Sequence, residues 1–133
     1  MSMKLVDSSA WVEFLRRKGD WSVKQAVARL IQADLAAFTC PIRFELLGGV
    51  RPAEQADLEQ ALAFSRHVPF GQDDWREAAL LERQLRAKGL TIPRNDLFVA
   101  TVAIRTGLPV VGRDAHFDLV KELVGDRLKV EQL

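Results

Sequence analysis

The chain has 133 residues, of which 48% are hydrophobic and 28% charged, and its formal net charge is +1. This length favours one domain over residues 1–133, and the composition argues against intrinsic disorder. A single cysteine excludes an internal disulfide and a cysteine-based zinc or iron–sulfur site. No apolar run approaches the ~20 residues of a membrane span, so we expect a cytoplasmic protein. Near-neutrality does not exclude a nucleic-acid ligand, because the distribution of charge decides binding.

The predicted elements alternate between strands and helices. The first part of the chain contains a strand at 3–6, a helix at 10–18 capped by Ser8 or Ser9, a helix at 21–33 capped by Asp20, a strand at 35–39, and helices at 41–49 and 53–67. The second part contains an extended piece at 68–70, helices at 74–88 (capped by Asp73) and 95–106, a strand at 109–112, a helix at 115–124 and a strand at 128–130. This order predicts an α/β fold, a three-layer sandwich with a mainly parallel central sheet flanked by helices.

Some side chains receive purely structural predictions. Pro69 restricts the short extended piece to an edge of the sheet. Trp11 and Trp75 lie on apolar helix stripes and are expected in the core, whereas Trp21 is left open. Cys40, next to Pro41, is expected to be a small buried residue.

Four carboxylates stand where ligands collect in a parallel sheet, beyond the carboxyl ends of the strands. Asp7 directly follows the first strand, and Asp114 follows the 109–112 strand after one residue. Asp96 lies in the first turn of a strongly apolar helix that should be buried against the sheet. Glu45 is flanked by apolar residues in the third helix and should be at least partly inside.

Acids gathered at one point repel each other, and a divalent cation is the usual resolution. Oxygen ligands without cysteine favour Mg²⁺ or Mn²⁺ over Zn²⁺. Such a centre can activate water for phosphodiester cleavage. Each acid alone also fits an ordinary role: Asp7 and Asp114 as helix caps, Asp96 as a partner of the helix dipole, and Glu45 in a surface ion pair. Their joint placement carries the prediction.

Four motifs in the right order cover nearly the whole chain. They are LVDSSAW at 5–11, FELLG at 44–48, RNDLFVA at 94–100 and GRDAHF at 112–117. With these motifs the sequence resembles the PIN-domain ribonucleases, specifically the VapC toxins of bacterial VapBC toxin–antitoxin pairs. The resemblance implies a PIN-like fold and a toxin that cleaves RNA, with transfer RNA and ribosomal RNA both open as substrates.

The resemblance maps the family's four acids onto Asp7, Glu45, Asp96 and Asp114, which would bind Mg²⁺ or Mn²⁺ and support attack by a metal-activated water. Ser8 would orient a metal-bound water or the first carboxylate. The resemblance further implies a homodimer and a VapB antitoxin whose C-terminal tail occupies the active site.

Two residues depart from the family pattern. Gly112 stands where many relatives have Thr or Ser, and His116 stands where many have a second Asp. The resemblance implies that Asp114 binds metal, and these two departures raise the alternative that it does so only through a water molecule.

Three arginines could surround the acidic pocket and hold RNA phosphates: Arg43, Arg94 and Arg113. The alternative function is a catalytically weak PIN-fold module that only binds RNA or a protein. A receiver-like phosphorylation domain is disfavoured, because Asp7 is followed by two serines and not by a second acid.

Overall fold

The computed structural model describes residues 2–133, which form five strands and seven α-helices. The strands are β1 (Lys4–Val6), β2 (Ala36–Thr39), β3 (Arg66–Val68), β4 (Val110–Gly112) and β5 (Val130–Gln132). The helices are α1 (Ser8–Leu15), α2 (Trp21–Gln32), α3 (Cys40–Gly49), α4 (Gln55–Ala63), α5 (Gln72–Ala87), α6 (Arg94–Thr106) and α7 (His116–Val124), with 3₁₀ turns at Pro52–Glu54 and Gly125–Arg127.

The strands form one parallel sheet in the order β3-β2-β1-β4-β5. β1 lies at the centre, with Leu5 opposite Ala37 on one side and Val110 on the other. All four residues of β2 are buried. Because successive side chains of a strand point to opposite faces, both faces of the sheet are covered. The predicted α/β fold with a parallel sheet is confirmed.

Trp11 anchors the core beneath β1, as its helix stripe predicts. Its side chain is fully buried, and its indole N–H donates to the Val6 carbonyl over 3.0 Å. Burial of an aromatic this large contributes about 3–5 kcal/mol, the usual cost of its truncation to alanine. This hydrogen bond ties α1 to the strand that it follows, and it thereby fixes the turn that carries Asp7.

Two strands are shifted from their predicted positions: β3 begins two residues earlier, and β5 begins two residues later. The chain turns at Ser65, whose hydroxyl donates to the Ala61 carbonyl over 2.7 Å, so α4 ends early and β3 occupies 66–68 instead of 68–70. Pro69 falls just beyond the strand, since it has no N–H to donate. β5 starts at Val130 because the buried Leu128 closes the preceding 3₁₀ turn.

The cap of α5 and the burial of two side chains also differ from prediction. Gly71, not Asp73, is the N-cap, and the Asp74 carboxylate accepts its N–H over 2.7 Å. Trp75 is 61% exposed at the surface, against an edge-to-face cluster of phenylalanines, and Cys40 is exposed as well. Periodicity placed Trp75 on the correct stripe, but no neighbouring element covers that end of the stripe. Among residues 2–133, no helix is long and apolar enough to cross a membrane.

Candidate metal centre

Asp7 combines a structural contact with an unused carboxylate oxygen. It is the N-cap of α1, so the predicted capping by Ser8 or Ser9 is wrong. Its Oδ2 accepts the Ser9 N–H over 3.3 Å and the Ser9 hydroxyl over 2.9 Å. Its Oδ1 is buried and has no hydrogen-bond partner among the described residues. Burial raises the pKa of Asp7, although the hydrogen bonds from Ser9 oppose that rise.

Asp96 lies in the first turn of α6 and is only 6% exposed. Burial and the negative charges of Asp114 and Asp7 raise its pKa to about 7. The repulsion that sequence spacing predicts between these acids is therefore present in the folded chain. Without a cation, the cluster retains a proton at Asp96 near neutral pH.

Asp114 and His116 form a tight group with Asp96. The His116 N–H donates to Asp114 Oδ1 over 2.9 Å, so Asp114 contacts the first residue of α7. His116 Nδ1 lies 2.7 Å from Asp114 Oδ1 and 2.9 Å from Asp96 Oδ2. Burial raises the pKa of Asp114, but the hydrogen bonds from His116 and Asp96 outweigh it and lower that pKa overall. Burial likewise lowers the pKa of His116, and the two carboxylates outweigh it and raise that pKa.

Glu45 reaches the same region from α3. Its Oε2 accepts the Ser8 hydroxyl over 3.2 Å, while its Oε1 is buried and has no hydrogen-bond partner among residues 2–133. The two serines after Asp7 thus have separate partners: Ser9 holds Asp7 and Ser8 holds Glu45. Sequence reasoning missed Ser9, although a hydroxyl two residues after a helix-capping Asp is a recognisable pattern.

A cavity of about 410 Å³ opens over Glu45, Asp96 and Asp114. It is lined by Ser8, Glu45, Pro93, Arg94, Asn95, Asp96, Asp114 and His116. A groove of about 500 Å³ adjoins it, shares Ser8 and Glu45, and runs between α1 and α3. The acidic cavity and the groove together form one continuous depression at the carboxyl edge of the sheet.

The three predicted arginines are placed unequally. Arg94 lines the acidic cavity and lies 3.4 Å from a carboxylate oxygen of Glu82. Arg113 lines the neighbouring groove instead and pairs with Asp20 over 2.9 Å. Arg43 is exposed on α3 and is in the lining of neither.

The glycine that departs from the family pattern has a steric reason in this chain. A β-carbon on Gly112 would lie 2.9 Å from the Ser9 hydroxyl and 3.0 Å from the Asp7 β-carbon. The first distance is shorter than real β-carbon contacts and the second is tighter than most of them, so a side chain there would displace Ser9 or Asp7. The Gly112 backbone instead packs directly beneath the Asp7 side chain.

The donor set fits a divalent cation. One ligand atom from each of Asp96, Asp114 and His116 lies within 4.8 Å of the others. Two further carboxylates, Asp7 and Glu45, each have one buried oxygen without a partner. A buried carboxylate oxygen without a compensating contact is costly, and a bound cation supplies that contact.

Comparison with known proteins identifies the family of the chain. The sequence pattern of the PIN domain matches residues 4–123. The chain is 34% identical over 126 residues to Ribonuclease VapC11 of Mycobacterium tuberculosis and to VapC ribonuclease Mb1587 of Mycobacterium bovis, covering 91% of this chain and 93% of each relative. The chain belongs to the PIN-domain family, in its VapC ribonuclease group.

Solved PIN-domain structures share the fold at lower identity. VapBC2 from Rickettsia felis, bound to a promoter DNA fragment, has a TM-score of 0.81 at 20% identity, covering 98% of both chains. VapBC-5 from Mycobacterium tuberculosis, described as a toxin–antitoxin system, has a TM-score of 0.66 at 20% identity, covering 100% of both chains. These structures show the shared fold, and the 34% identical relatives confirm the VapC family that the four sequence motifs indicated.

Proposed function

We propose that the protein is a Mg²⁺- or Mn²⁺-dependent endoribonuclease and the toxin of a type II toxin–antitoxin pair. The observation that carries the proposal is the gathering of Glu45, Asp96 and Asp114 around one cavity, with Asp7 buried close enough to Asp96 and Asp114 for their charges to interact. One carboxylate oxygen of Asp7 and one of Glu45 are buried without a hydrogen-bond partner among the described residues. The names of the VapC relatives, which are ribonucleases at 34% identity, support the same activity.

The four acids would hold the cation, and each has a supporting contact. Ser9 fixes Asp7 by its side chain and its N–H, and Ser8 fixes Glu45. A bound divalent ion supplies a nucleophilic water at neutral pH and offsets the charge that develops on the phosphate. Asp96 holds a proton until the cation binds, because burial and its acidic neighbours favour its neutral form.

The substrate is RNA, with transfer RNA and ribosomal RNA as the two candidate classes. Arg94, on the rim of the cavity with 76% of its side chain exposed, would contact the phosphate backbone next to the acids. Arg43 and Arg113 would contact phosphates farther along the strand. Positive charge at these positions offsets the repulsion between the acidic cavity and a polyanion.

The expected partners are a cognate VapB-type antitoxin and a second copy of the chain. Four apolar residues line the groove beside the acids (Val12, Leu15, Leu46 and Val50), together with the arginines Arg16, Arg51 and Arg113. Three glutamates also line the groove (Glu13, Glu45 and Glu54). This lining suits a peptide segment with apolar side chains and charged side chains of both signs, which is the chemistry we expect of an antitoxin tail. Light scattering of the free protein tests the homodimer: a dimer mass supports it, and a monomer mass at micromolar concentration contradicts it.

Expression in a bacterium, followed by sequencing of RNA 5′ ends, tests the enzyme. The wild type should arrest growth and produce discrete new ends, whereas Asp7→Asn should do neither. Asp118→Asn is the matched control, because this acid is exposed on the outer side of α7 and should leave activity unchanged. If purified wild type and Asp7→Asn cleave RNA equally in the presence of Mn²⁺, the proposed site is wrong.

Calorimetry distinguishes the nuclease from the alternative, which is a PIN-fold module that binds RNA or a protein without turnover. Tight Mn²⁺ binding that depends on Asp7 favours the enzyme. RNA binding without metal binding or cleavage favours the module.

A further inference from the structure

His116 occupies an unusual position for a side chain at an acidic metal centre. Its Nδ1 lies 2.7 Å from Asp114 Oδ1 and 2.9 Å from Asp96 Oδ2, so the same ring nitrogen faces both acids. Neighbouring ligands around a small octahedral cation lie roughly 3 Å apart, given metal–oxygen distances of about 2.1 Å. The nitrogen therefore stands where an adjacent ligand would stand, not behind the carboxylates.

The ring is held in this position by the start of α7. His116 is the first residue of the helix, and its N–H donates to Asp114 Oδ1 over 2.9 Å. The next residue, Phe117, is 1% exposed and anchors the helix in the core. Because the backbone is fixed on both sides, Nδ1 is pre-organised toward the acids while 41% of the side chain stays exposed.

An ion pair alone does not account for the whole centre. A single imidazolium would compensate Asp96 and Asp114 but would leave the buried Asp7 Oδ1 and Glu45 Oε1 without any contact. A divalent cation would be held by Asp96, Asp114 and the ring nitrogen, whose ligand atoms all lie within 4.8 Å of one another. The arrangement thus combines carboxylate oxygens with one imidazole nitrogen.

We propose that His116 binds the cation directly through Nδ1 and makes this centre select Mn²⁺ over Mg²⁺. Mg²⁺ strongly prefers an all-oxygen shell. Mn²⁺ also favours oxygen ligands, but as a transition metal it accepts an imidazole nitrogen more readily than Mg²⁺ does. This inference deepens the proposed function and rests on it for the presence of a metal centre. It concerns the ligand and the choice of ion, and it can fail while the nuclease stands.

Pulsed electron paramagnetic resonance of the purified protein with Mn²⁺ alone tests the ligand. The wild type should show coupling between Mn²⁺ and a nitrogen nucleus, and His116→Gln should lose it. His67→Gln is the control, because His67 lies on β3 at the far edge of the sheet and should keep the coupling. If Mn²⁺ is bound without nitrogen coupling in the wild type, His116 is not a ligand and the inference is overturned.

Competition between the two ions tests the selectivity. Mg²⁺ should displace Mn²⁺ from His116→Asp at about tenfold lower concentration than from the wild type, since removal of a metal-site contact commonly changes affinity by that factor or more. An unchanged ratio of the two affinities would overturn the selectivity.

The two proposals fail in different ways. Nitrogen-coupled Mn²⁺ in a protein that cleaves no RNA would support the ligand assignment and contradict the nuclease. RNA cleavage with Mn²⁺ bound through oxygen alone would do the reverse. If the wild type binds no Mn²⁺, the ligand and selectivity inference is wrong, and if it binds no Mg²⁺ either, the metal-dependent nuclease is wrong as well.

Discussion

The Ser9 hydroxyl donates to Asp7 Oδ2 over 2.9 Å and thereby holds this carboxylate in a single orientation. Ser9 Oγ in turn accepts the Arg113 N–H over 3.0 Å. Ser9 thus connects the end of β1 to the chain that leaves β4. One hydroxyl sets both the direction of Asp7 and the spacing of the two strand ends at the metal centre.

Ser9→Ala should weaken the centre without unfolding the protein. Loss of a hydrogen bond to a carboxylate costs about 1.5–3 kcal/mol, and removal of the Ser9 hydrogen bond raises the pKa of Asp7 further. We expect weaker Mn²⁺ binding that recovers in part at higher pH, measured by calorimetry at several pH values. Ser22→Ala, at an exposed serine of α2, is the control. Equal Mn²⁺ affinity in both variants would show that Ser9 does not position Asp7.

Gly112→Ala should disturb the same region sterically. The added β-carbon meets Ser9 Oγ at 2.9 Å and Asp7 Cβ at 3.0 Å, and overpacking of this kind costs about 1–3 kcal/mol. Urea unfolding should show a lower free energy of unfolding, and a Mn²⁺ titration should show a lower affinity. Gly48→Ala in α3 meets nothing within 4 Å and should leave stability equal or slightly higher. A Gly112→Ala protein as stable and as tight for Mn²⁺ as the wild type would contradict the packing.

The raised pKa of Asp96 predicts a pH dependence in the absence of divalent cations. Its folded pKa is about 7, above its ordinary value of 3.8, so its contribution to stability is present at low pH and is lost as pH rises from about 4 to 7. With a chelator present, the free energy of unfolding of the wild type should fall relative to that of Asp96→Asn as pH rises from about 4 to 7. Urea unfolding at pH 5 and pH 7.5 measures the difference. A constant difference between the two proteins would mean that Asp96 titrates normally.

Asp74→Ala should destabilise the fold away from the metal centre. The Asp74 carboxylate is 1% exposed, accepts the Gly71 N–H, and binds Arg105 through two hydrogen bonds of 2.8 and 3.0 Å. We expect a loss of about 2–3 kcal/mol in the free energy of unfolding, because hydrogen bonds to a buried charge disappear. Asp73→Ala, one residue earlier, should cost less than about 1 kcal/mol, the scale of a helix-dipole contact. Similar losses would show that Asp74 has no special role.

The placement of the acids could be predicted because it depends on local sequence. Asp7 and Asp114 follow apolar strands directly, and the strong apolar character of α6 predicts that Asp96 is buried. The partners of these acids could not be predicted in the same way. Ser8 and Ser9 differ by one position, and the turn at the start of α1 decides which hydroxyl meets Asp7.

Contacts between distant segments also could not be predicted from the sequence. The pairing of Arg113 with Asp20 depends on how the start of α2 meets the loop after β4, which no periodicity encodes. Trp75 has the spacing of a core residue, yet its exposure depends on whether another element covers α5 at that end. Such features follow from tertiary packing, and local patterns constrain them only weakly.

The central position of β1 has a consequence during synthesis on the ribosome. Asp7 emerges early, but its neighbouring strand β4 and the acid Asp114 emerge only when most of the chain has been translated. A nascent chain that ends before β4 lacks both strands on one side of β1, namely β4 and β5, and it also lacks Asp114 and His116. The candidate metal centre therefore forms only near the end of translation, and incomplete translation products lack the assembled acidic cluster.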